Sequence, residues 1–458
     1  MPTRSESDTA ADGSELRLAT LPDVERSAAR HVGRKPRIVI IGAGFAGIAA
    51  ARALRHSDAE VMLIDRRNHH IFQPLLYQVA TAILSPAEIA APIRQREVKQ
   101  RNLNVLLAEV TGVSLADRTV DVSSPKAAVR KVAFDFLLVA TGMCASYFGH
   151  DEFAQHAPAL KTLSDAETIR ARILGAFELA ETTEDEGERV RQMTFVLVGA
   201  GPTGVELAGS LAHMVNVTLR GNFRRIDPSK STIILLDASS RVLPTFAEGL
   251  SRGATRRLTK LGVKVLTGVK VETVDEQGVV AAGERIPGAT VLWTAGVAAS
   301  PIPKMLGGKT DRGGRALVDP FLKVVGAPGV FVVGDAASVV QNKHPVPGVA
   351  QAAIQEGRYV GRLIANELQG RRMTRPFRYI DLGQMAVVGK NYAVLEWGQL
   401  HTSGFLTWLV WALVHILSLP QEQNRLRVQR QWLWSYFTGQ RSSRLIPEPL
   451  RTPGAEPR

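Results

Sequence analysis

Residues 37–47 read RIVIIGAGFAG, an apolar strand followed by Gly42, Gly44 and Gly47 and then by an alanine-rich helix. A second strand, EVMLID, ends in Asp65. The first glycine of such a loop permits a tight turn, the second lets the backbone approach a pyrophosphate, and the third lets the helix pack on the strand. The helix N-terminus favours the anion, and the acid accepts hydrogen bonds from an adenosine ribose. This stretch therefore predicts a dinucleotide site.

The same pattern occurs a second time in the chain. Residues 195–204 read FVLVGAGPTG, with Gly199, Gly201 and Gly204, and the strand TIILLD that follows the next helix ends in Asp237. A single glycine triplet is weak evidence, but two copies of strand, triplet, helix and acid argue against ordinary glycine-rich turns. We therefore expect two bound dinucleotides, one for each copy.

Each copy closes with a further apolar strand and a small-residue turn. The first reads FDFLLVATG and ends in Thr141 and Gly142, and the second reads ATVLWTAG and ends in Gly296. Strands that alternate with helices in this way indicate parallel sheets. The predicted fold class is α/β, with two Rossmann-like dinucleotide-binding domains.

The two copies differ in the length of the connection to the acid. Only 18 residues separate Gly47 from Asp65, whereas 33 separate Gly204 from Asp237. The excess lies in an arginine-rich stretch at residues 215–231, VNVTLRGNFRRIDPSKS. We expect an extended helix end followed by a loop there.

The composition limits the chemistry that the chain can support. Its 458 residues are 45% hydrophobic and contain a single cysteine, Cys144, which excludes a disulfide within the chain, a Cys-x-x-Cys pair and a cysteine-built metal site. We expect Cys144 to be a small packed residue and no metal to be bound.

The net charge of the chain bears on its partners. A charge of +13 suits an anionic membrane surface or anionic cofactors. No nucleic-acid motif is present, so no nucleic-acid partner is predicted.

Residues 330–337 read VFVVGDAA, a buried strand that ends in Gly334 and Asp335. Together with the ATG turn at 140–142, this resembles the two-dinucleotide flavoprotein reductases. The resemblance implies that the N-terminal unit holds FAD, that Asp335 binds its ribitol, and that the inserted second unit holds NADH. A carboxylate at Asp237 also favours NADH over NADPH, because it repels a 2′-phosphate.

One family is matched along nearly the whole chain. The motifs FQPLLYQVATA, GPTGVELAGSL, WTAGV, GDAA and AQAAIQEG resemble those of the type II, single-subunit NADH:quinone dehydrogenases. The resemblance implies an FAD-dependent oxidoreductase that transfers a hydride from NADH to FAD and two electrons on to a membrane quinone, without proton pumping.

Three side chains are candidates for catalysis. Gln351 and Gln355 are four residues apart and share one helix face; the resemblance implies that they lie where quinone meets the flavin. Glu206 lies in the first turn of the second glycine-loop helix, and the resemblance implies that it orients the nicotinamide. The alternatives are two solvent-facing glutamines and a carboxylate that merely complements the helix dipole.

The C-terminal region predicts contact with a membrane. Residues 405–419, FLTWLVWALVHILSL, carry no charge. As a helix they would extend about 22 Å, short of the roughly 30 Å hydrocarbon core. Five arginines and four aromatic residues follow without an acid between 424 and 444, which is typical of a monotopic anchor. The alternative is a pair of helices that pack on each other or in a dimer interface.

These features predict an order of domains along the chain. It comprises a disordered tail at 1–34, an FAD-binding domain in two parts at 35–155 and 306–395, an NADH-binding domain at 156–305 and a membrane-anchoring region at 396–458. We expect a membrane-associated protein on the cytoplasmic face of the cell membrane, and the resemblance adds a homodimer. Two rival functions are a soluble NADH-dependent flavin reductase for a small redox protein and a flavoprotein redox sensor.

Overall fold

The computed structural model describes residues 34–124 and 127–446. The predicted disordered tail therefore lies outside the described residues, apart from Arg34. Two parallel sheets dominate the fold, each with a glycine loop and a helix after its central strand. The α/β class with two Rossmann-like units is confirmed.

The first sheet has five parallel strands, four from residues 37–139 and one from residues 330–332, after the second unit. Along the first strand, Ile38 and Ile40 pack into one core cluster and Val39 and Ile41 into another. The strand is therefore buried on both faces, which explains its continuous apolar sequence. In spatial order the strands are Val330–Val332, Phe136–Val139, Arg37–Ile41, Glu60–Asp65 and Leu103–Leu107.

Two helices cover one face of the first sheet. The first loop helix, Phe45–Ala53, lies against the long helix Ala350–Leu368. A Cβ added to Gly357 would lie 2.1 Å from the carbonyl oxygen of Ala46, so the two helix backbones touch. This contact joins the returning chain to the first glycine loop.

The second sheet has four parallel strands. The second loop helix, Pro202–His213, follows its strand Thr194–Val198. Its other strands are Val263–Thr267, Thr232–Asp237 and Thr290–Trp293, and its other helices are Leu163–Thr182, Glu186–Gln192 and Glu248–Lys260.

Smaller elements connect and cover the two sheets. Met143–Ala145 pairs with Val297–Ala299 where the chain passes between the units. Cys144 lies in this pair and is exposed, so the expectation that it is packed was wrong.

The remaining small elements are two antiparallel sheets, three short strand pairs and several short helices. One antiparallel sheet consists of Glu109–Ser114, Thr119–Ser124 and Ala127–Ala133, and the other of Val271–Asp275, Gly278–Ala281 and Glu284–Pro287. Short strand pairs join His69–Ile71 to Ala90–Pro92, Ala316–Leu317 to Ala337–Ser338, and Val340–Gln341 to His344–Pro345. Short helices lie at Gln73–Leu75, Leu76–Ala80, Pro86–Ile89, Ile93–Arg96, Asp151–Gln155, Pro228–Lys230, Ile302–Met305 and Gly334–Ala336.

A third antiparallel sheet leads into the C-terminal helices. Its strands are Gln384–Val387, Ala393–Trp397 and Leu400–Gly404, and the helices are Phe405–Ser418 and Glu422–Thr438. The boundary expected between 395 and 396 falls inside a strand of this sheet, which continues directly into the first C-terminal helix. Among the described residues, no helix is both long and apolar enough to cross a membrane.

The C-terminal helices are part of the protein core. Trp411, Leu419 and Val428 are buried in the same apolar cluster as the second sheet. Trp411 stacks on Trp432 with ring centroids 5.3 Å apart. The two helices therefore pack on each other and on the body of the protein at once.

Candidate functional site

The first glycine loop has the geometry that its sequence predicts. Gly42 has a φ of +101°, and a Cβ there would lie 2.4 Å from the carbonyl oxygen of Ala140. A Cβ on Gly47 would lie 1.8 Å from the Gly42 oxygen, whereas nothing lies within 4 Å of one on Gly44. The outer glycines are therefore required by packing, and the middle one leaves open space where a pyrophosphate can approach.

The second loop repeats this arrangement. Gly199 has a φ of +108°, a Cβ on Gly204 would lie 1.8 Å from the Gly199 oxygen, and nothing lies within 4 Å of one on Gly201. Gly44 and Gly201 are also the N-caps of their helices, and neither helix has a side-chain cap. The N–H groups in the first turn of both helices are thus available to an anion, except at Pro202, which has no N–H.

Asp65 and Asp237, the acids at the strand ends, each accept hydrogen bonds from the glycine loop of their own unit. Asp65 accepts hydrogen bonds from the N–H groups of Ala43 and Arg67, both at 2.7 Å. Asp237 accepts from the N–H of Ala200 and, at 2.6 Å, from that of Ser239. A carboxylate has about four acceptor positions, so each acid can also accept from a ribose hydroxyl.

Gly334 and Asp335 follow the strand Val330–Val332 at the edge of the first loop. The N–H of Gly334 donates to Glu356 Oε2 at 2.6 Å. Burial raises the pKa of Asp335, although Lys161 and Arg315 oppose the shift. At the neighbouring turn Gly142 has a φ of +63°, and Thr141 Oγ1 accepts from Ser300 Oγ at 2.6 Å. A carboxylate in this partly enclosed place suits ribitol hydroxyl donors.

Both candidate glutamines are bonded to one backbone segment, residues 380–387. Gln351 donates to the oxygen of Gly383 at 2.7 Å and accepts from the N–H of Leu382 at 3.0 Å. Gln355 donates to the oxygen of Ile380 and accepts from its N–H, both at 2.9 Å. Both side chains are half-buried and bonded to the backbone. Each NH2 group uses one of its two N–H donors in this way.

Glu206 contacts the other end of the same segment. Its carboxyl accepts from the N–H of Val387 at 3.4 Å. Burial raises its pKa to about 8, and this hydrogen bond opposes the shift only in part. All three candidate catalytic side chains therefore bond to the segment 380–387, the glutamines at 380–383 and Glu206 at 387, although 145 positions separate Glu206 from Gln351.

Several buried polar groups were not singled out from the sequence. Burial raises the pKa of Glu356 to about 8 while it accepts from Gly334. Trp432 Nε1 donates to Gln78 Oε1 at 2.7 Å, and Gln78 Nε2 donates to the hydroxyl of Tyr77 at 3.0 Å. All but Trp432 lie inside motifs already quoted, AQAAIQEG and FQPLLYQVATA, and their polarity within apolar runs was the available signal.

Neither metal nor disulfide chemistry is suggested by the described residues. Among them, no group of three or more His, Cys, Asp or Glu side chains could hold a metal ion. Cys144 is the single cysteine of the chain and cannot form a redox pair within it.

Comparison with known proteins identifies the family. Residues 36–357 match the family model described as pyridine nucleotide-disulphide oxidoreductase. Two type II NADH:quinone oxidoreductases of Mycobacterium tuberculosis are similar to the chain, one 43% identical over 91% of both chains and the other 44% identical over 91% of this chain and 90% of its own. A structure of NDH2 from Plasmodium falciparum in complex with NADH is 20% identical, has a TM-score of 0.82, and aligns with 89% of this chain and 99% of its own. The chain therefore belongs to the pyridine nucleotide-disulphide oxidoreductase family and, within it, to the type II NADH:quinone oxidoreductases.

Proposed function

We propose that the two glycine loops hold FAD and NADH, and that quinone is reduced beside residues 380–387. The enzyme is an FAD-dependent NADH:quinone oxidoreductase: FAD accepts a hydride from NADH, and two electrons pass on to quinone without proton pumping. The observation that supports the placement is that Glu206, Gln351 and Gln355 all bond to the backbone of this one segment.

The first unit is proposed as the FAD site. Gly42, Gly44 and Gly47 form its loop, and Asp65, Thr141, Gly142, Gly334 and Asp335 surround it. The long helix Ala350–Leu368 touches this loop helix through Gly357, which brings the N-terminus with Gln351 to the same edge. This supports a domain formed by 35–155 and 306–395, completed by the returning chain.

The second unit is proposed as the NADH site, within 156–305. Gly199, Gly201 and Gly204 would bind the pyrophosphate, and Asp237 the adenosine ribose. Gly296 lines a small pocket with Thr203, Ala295 and Lys161, which is a suitable place for the nicotinamide. Glu206 is the fifth residue of the helix Pro202–His213 and so lies in its second turn, not in the first turn that the sequence predicted.

Gln351 and Gln355 are proposed to shape the quinone end of the site, and Glu206 to orient the nicotinamide beside it. An amide is uncharged and has two N–H donors, and in each glutamine one of them is paired here with the backbone. The second N–H can donate to a quinone carbonyl while the hydrogen bond to the backbone is kept. A carboxyl with a raised pKa can hold a proton near neutral pH, and Glu206 has that property.

Membrane attachment is proposed through the C-terminal helices. The first, Phe405–Ser418, buries Trp411 and Thr407 on one face. Its other face exposes a continuous apolar surface, which suits a lipid interface better than water. The exposed side chains are Phe405, Leu406, Leu409, Val410, Leu413, Val414 and Leu417. We propose monotopic binding at the cytoplasmic face of the cell membrane, and a homodimer remains a proposal that rests on the family resemblance.

The decisive test is rapid mixing of the purified protein with NADH and then with a short-chain quinone. We expect the yellow chromophore to bleach and then to recover when quinone is added. Bleaching without recovery would favour a redox sensor. Full quinone activity in the soluble fraction after deletion of 400–458 would favour a soluble reductase.

A first prediction concerns Gln355→Leu. We expect NADH to reduce the flavin at the wild-type rate, while quinone reoxidises it roughly tenfold or more slowly, because the loss of one hydrogen-bonding group costs about 1–3 kcal/mol. The two rates are measured separately by stopped-flow absorbance.

Gln369→Leu is the matched control for this prediction. It makes the same substitution at an exposed position just past the end of the same helix and should leave both rates unchanged. Equal slowing of reduction and reoxidation in Gln355→Leu would contradict the role in quinone reduction.

A second prediction concerns Asp237→Ala. Removal of the carboxylate is expected to lower the preference for NADH over NADPH by about tenfold, or about 1.4 kcal/mol, because repulsion of the 2′-phosphate is lost. The measurement is kcat/KM with each nucleotide. Asp237→Asn removes the charge but keeps one of the two oxygens that accept from the loop N–H groups, so it should show a similar change in selectivity with a smaller disturbance of the loop. Unchanged selectivity in both variants would remove Asp237 from the nucleotide site.

A further inference from the structure

The arginine-rich insertion at 215–231 has no part in either nucleotide loop. It begins with a wide π-helical turn at Met214–Thr218, which extends the second loop helix, and continues as a loop to the short helix Pro228–Lys230. The extended helix end that the spacing predicted is present. Its length and charge require a different explanation from nucleotide binding.

The insertion lies against the end of the C-terminal region. Thr218 Oγ1 donates to the carbonyl oxygen of Gly439 at 3.0 Å. Arg444 Nη1 donates to Asn222 Oδ1 at 3.1 Å. Gly439 is the left-handed C-cap of the last helix, with a φ of 71°. The insertion and the helix end therefore form one continuous surface.

Large apolar side chains are exposed on both parts of this surface. Val217 on the insertion is 46% exposed. On the C-terminal side, Trp434 is 60% exposed, Phe437 79% and Leu445 72%. Exposed aromatic and aliphatic side chains next to arginines are typical of the lipid–water interface.

The loop exposes two arginine side chains and binds one carboxylate through its backbone N–H groups. Glu181 accepts hydrogen bonds from the backbone N–H groups of Arg224, Arg225 and Ile226, at 2.8 to 3.1 Å. Its carboxylate is thus engaged with the backbone, while the side chains of Arg224 and Arg225 are exposed. Within the described part of the chain, neither guanidinium has a carboxylate oxygen within 4 Å.

We infer that the insertion 215–231 is a second membrane-contact element, which receives the headgroups of anionic phospholipids beside the end of the C-terminal region. The inference rests on the membrane attachment proposed above and adds the lipid class and a surface outside the C-terminal helices. Charge complementarity selects an anionic headgroup, and the adjoining Val217, Trp434 and Phe437 select a bilayer over a nucleic acid.

The test compares two double variants of the full-length enzyme. Arg224→Gln/Arg225→Gln removes two cations from the insertion. Arg130→Gln/Lys131→Gln removes two adjacent exposed cations from the strand Ala127–Ala133, which belongs to a sheet on the opposite side of the first sheet from its helices. Each protein is sedimented with vesicles of phosphatidylcholine alone and of phosphatidylcholine mixed with phosphatidylglycerol.

Each basic residue near an anionic surface strengthens binding about fivefold, so the insertion variant should bind the mixed vesicles about 30-fold more weakly than wild type. Its deficit should shrink as salt is raised and should vanish on phosphatidylcholine. The control variant should bind as wild type does, and both should oxidise NADH normally with a water-soluble quinone.

Two outcomes would overturn the inference, and they differ in what they imply for the C-terminal attachment. If the insertion variant binds mixed vesicles as tightly as the control, the insertion does not contact lipid, although the C-terminal attachment stands. If wild-type protein binds neither kind of vesicle, the proposed membrane attachment fails and this inference fails with it.

Discussion

Replacing Gly201 with valine is expected to leave the protein folded and yellow but unable to use NADH. Nothing lies within 4 Å of a Cβ at this position. The backbone there, with φ −70° and ψ −175°, is extended and open to any residue. The added side chain would instead fill the space that a pyrophosphate needs above the helix N-terminus. We expect NADH affinity to fall roughly 100-fold, about 2.7 kcal/mol.

Gly204→Ala is the informative contrast to Gly201→Val. Its Cβ would lie 1.8 Å from the Gly199 oxygen and 2.7 Å from Thr294 Oγ1, so the helix would be forced off its strand. This smaller substitution should therefore destabilise the whole second unit. NADH titration of the flavin, FAD content and thermal unfolding separate the two effects. Normal NADH binding by Gly201→Val would contradict the assignment of the second loop.

Local sequence predicted the parts of the fold that depend on neighbouring residues. The strands that end in Asp65 and Asp237 have those ends in the structure, and the three glycines of each loop have three different environments. The tight turn and the close contact of the first glycine with the third lie within the loop itself, so they can be predicted from the local sequence. The contacts of Gly42 with Ala140 and of Gly204 with Thr294 depend on the strand that closes each unit.

The pairing of the candidate catalytic residues could not be predicted in the same way. Gln351 and Gln355 share a helix face, as their spacing requires, but their partners lie in a segment without regular structure at 380–383. Glu206 meets Val387 across 181 positions. No periodicity encodes such contacts, because they depend on how three separate elements pack.

The C-terminal region shows the same limit. Its apolar sequence suggested either an anchor or a packed helix pair, and the structure has buried and exposed apolar faces on the same helix. Asn424 donates to the carbonyl oxygens of Ala87, Glu88 and Ala90, at 2.8 to 3.2 Å. These hydrogen bonds join residues that are over 330 positions apart in the chain. They fix the C-terminal region to the body of the protein, and we call this attachment the clamp.

Arg441→Met is expected to loosen this clamp and to destabilise the protein by about 2–4 kcal/mol. Arg441 Nη1 donates to the oxygen of Thr81 at 2.6 Å, and Nη2 donates to the oxygen of Ser210 at 2.9 Å. Buried carbonyls that lose their donors cost about 1–3 kcal/mol each, while relief from burying the guanidinium offsets part of the sum. Burial already lowers the pKa of Arg441 to about 9.

Arg444→Met is the matched control for Arg441→Met. Arg444 is three residues away and partly exposed, and it bonds to Asn222 Oδ1 and Gln440 Oε1. Its loss should cost no more than about 0.5 kcal/mol, as for most surface positions. Chemical unfolding measures both free energies, and limited proteolysis should cut the C-terminal region faster in Arg441→Met alone. Equal stability of the two variants would show that Arg441 does not clamp the region.

The pH dependence of the stability that Arg441→Met loses gives a second, independent readout. Burial, and then the charges of Arg441 and Lys390, lower the pKa of His213 to about 4 from its ordinary 6.5. Between these values the unfolded chain binds more protons than the folded one, so stability falls as the pH drops from 6.5 toward 4. Arg441→Met removes one cause of the shift, raises the pKa of His213 and makes that loss smaller. The stability gap between wild type and Arg441→Met should therefore narrow from about pH 7 to about pH 5. A gap that widens over this range would mean that Arg441 does not act on His213.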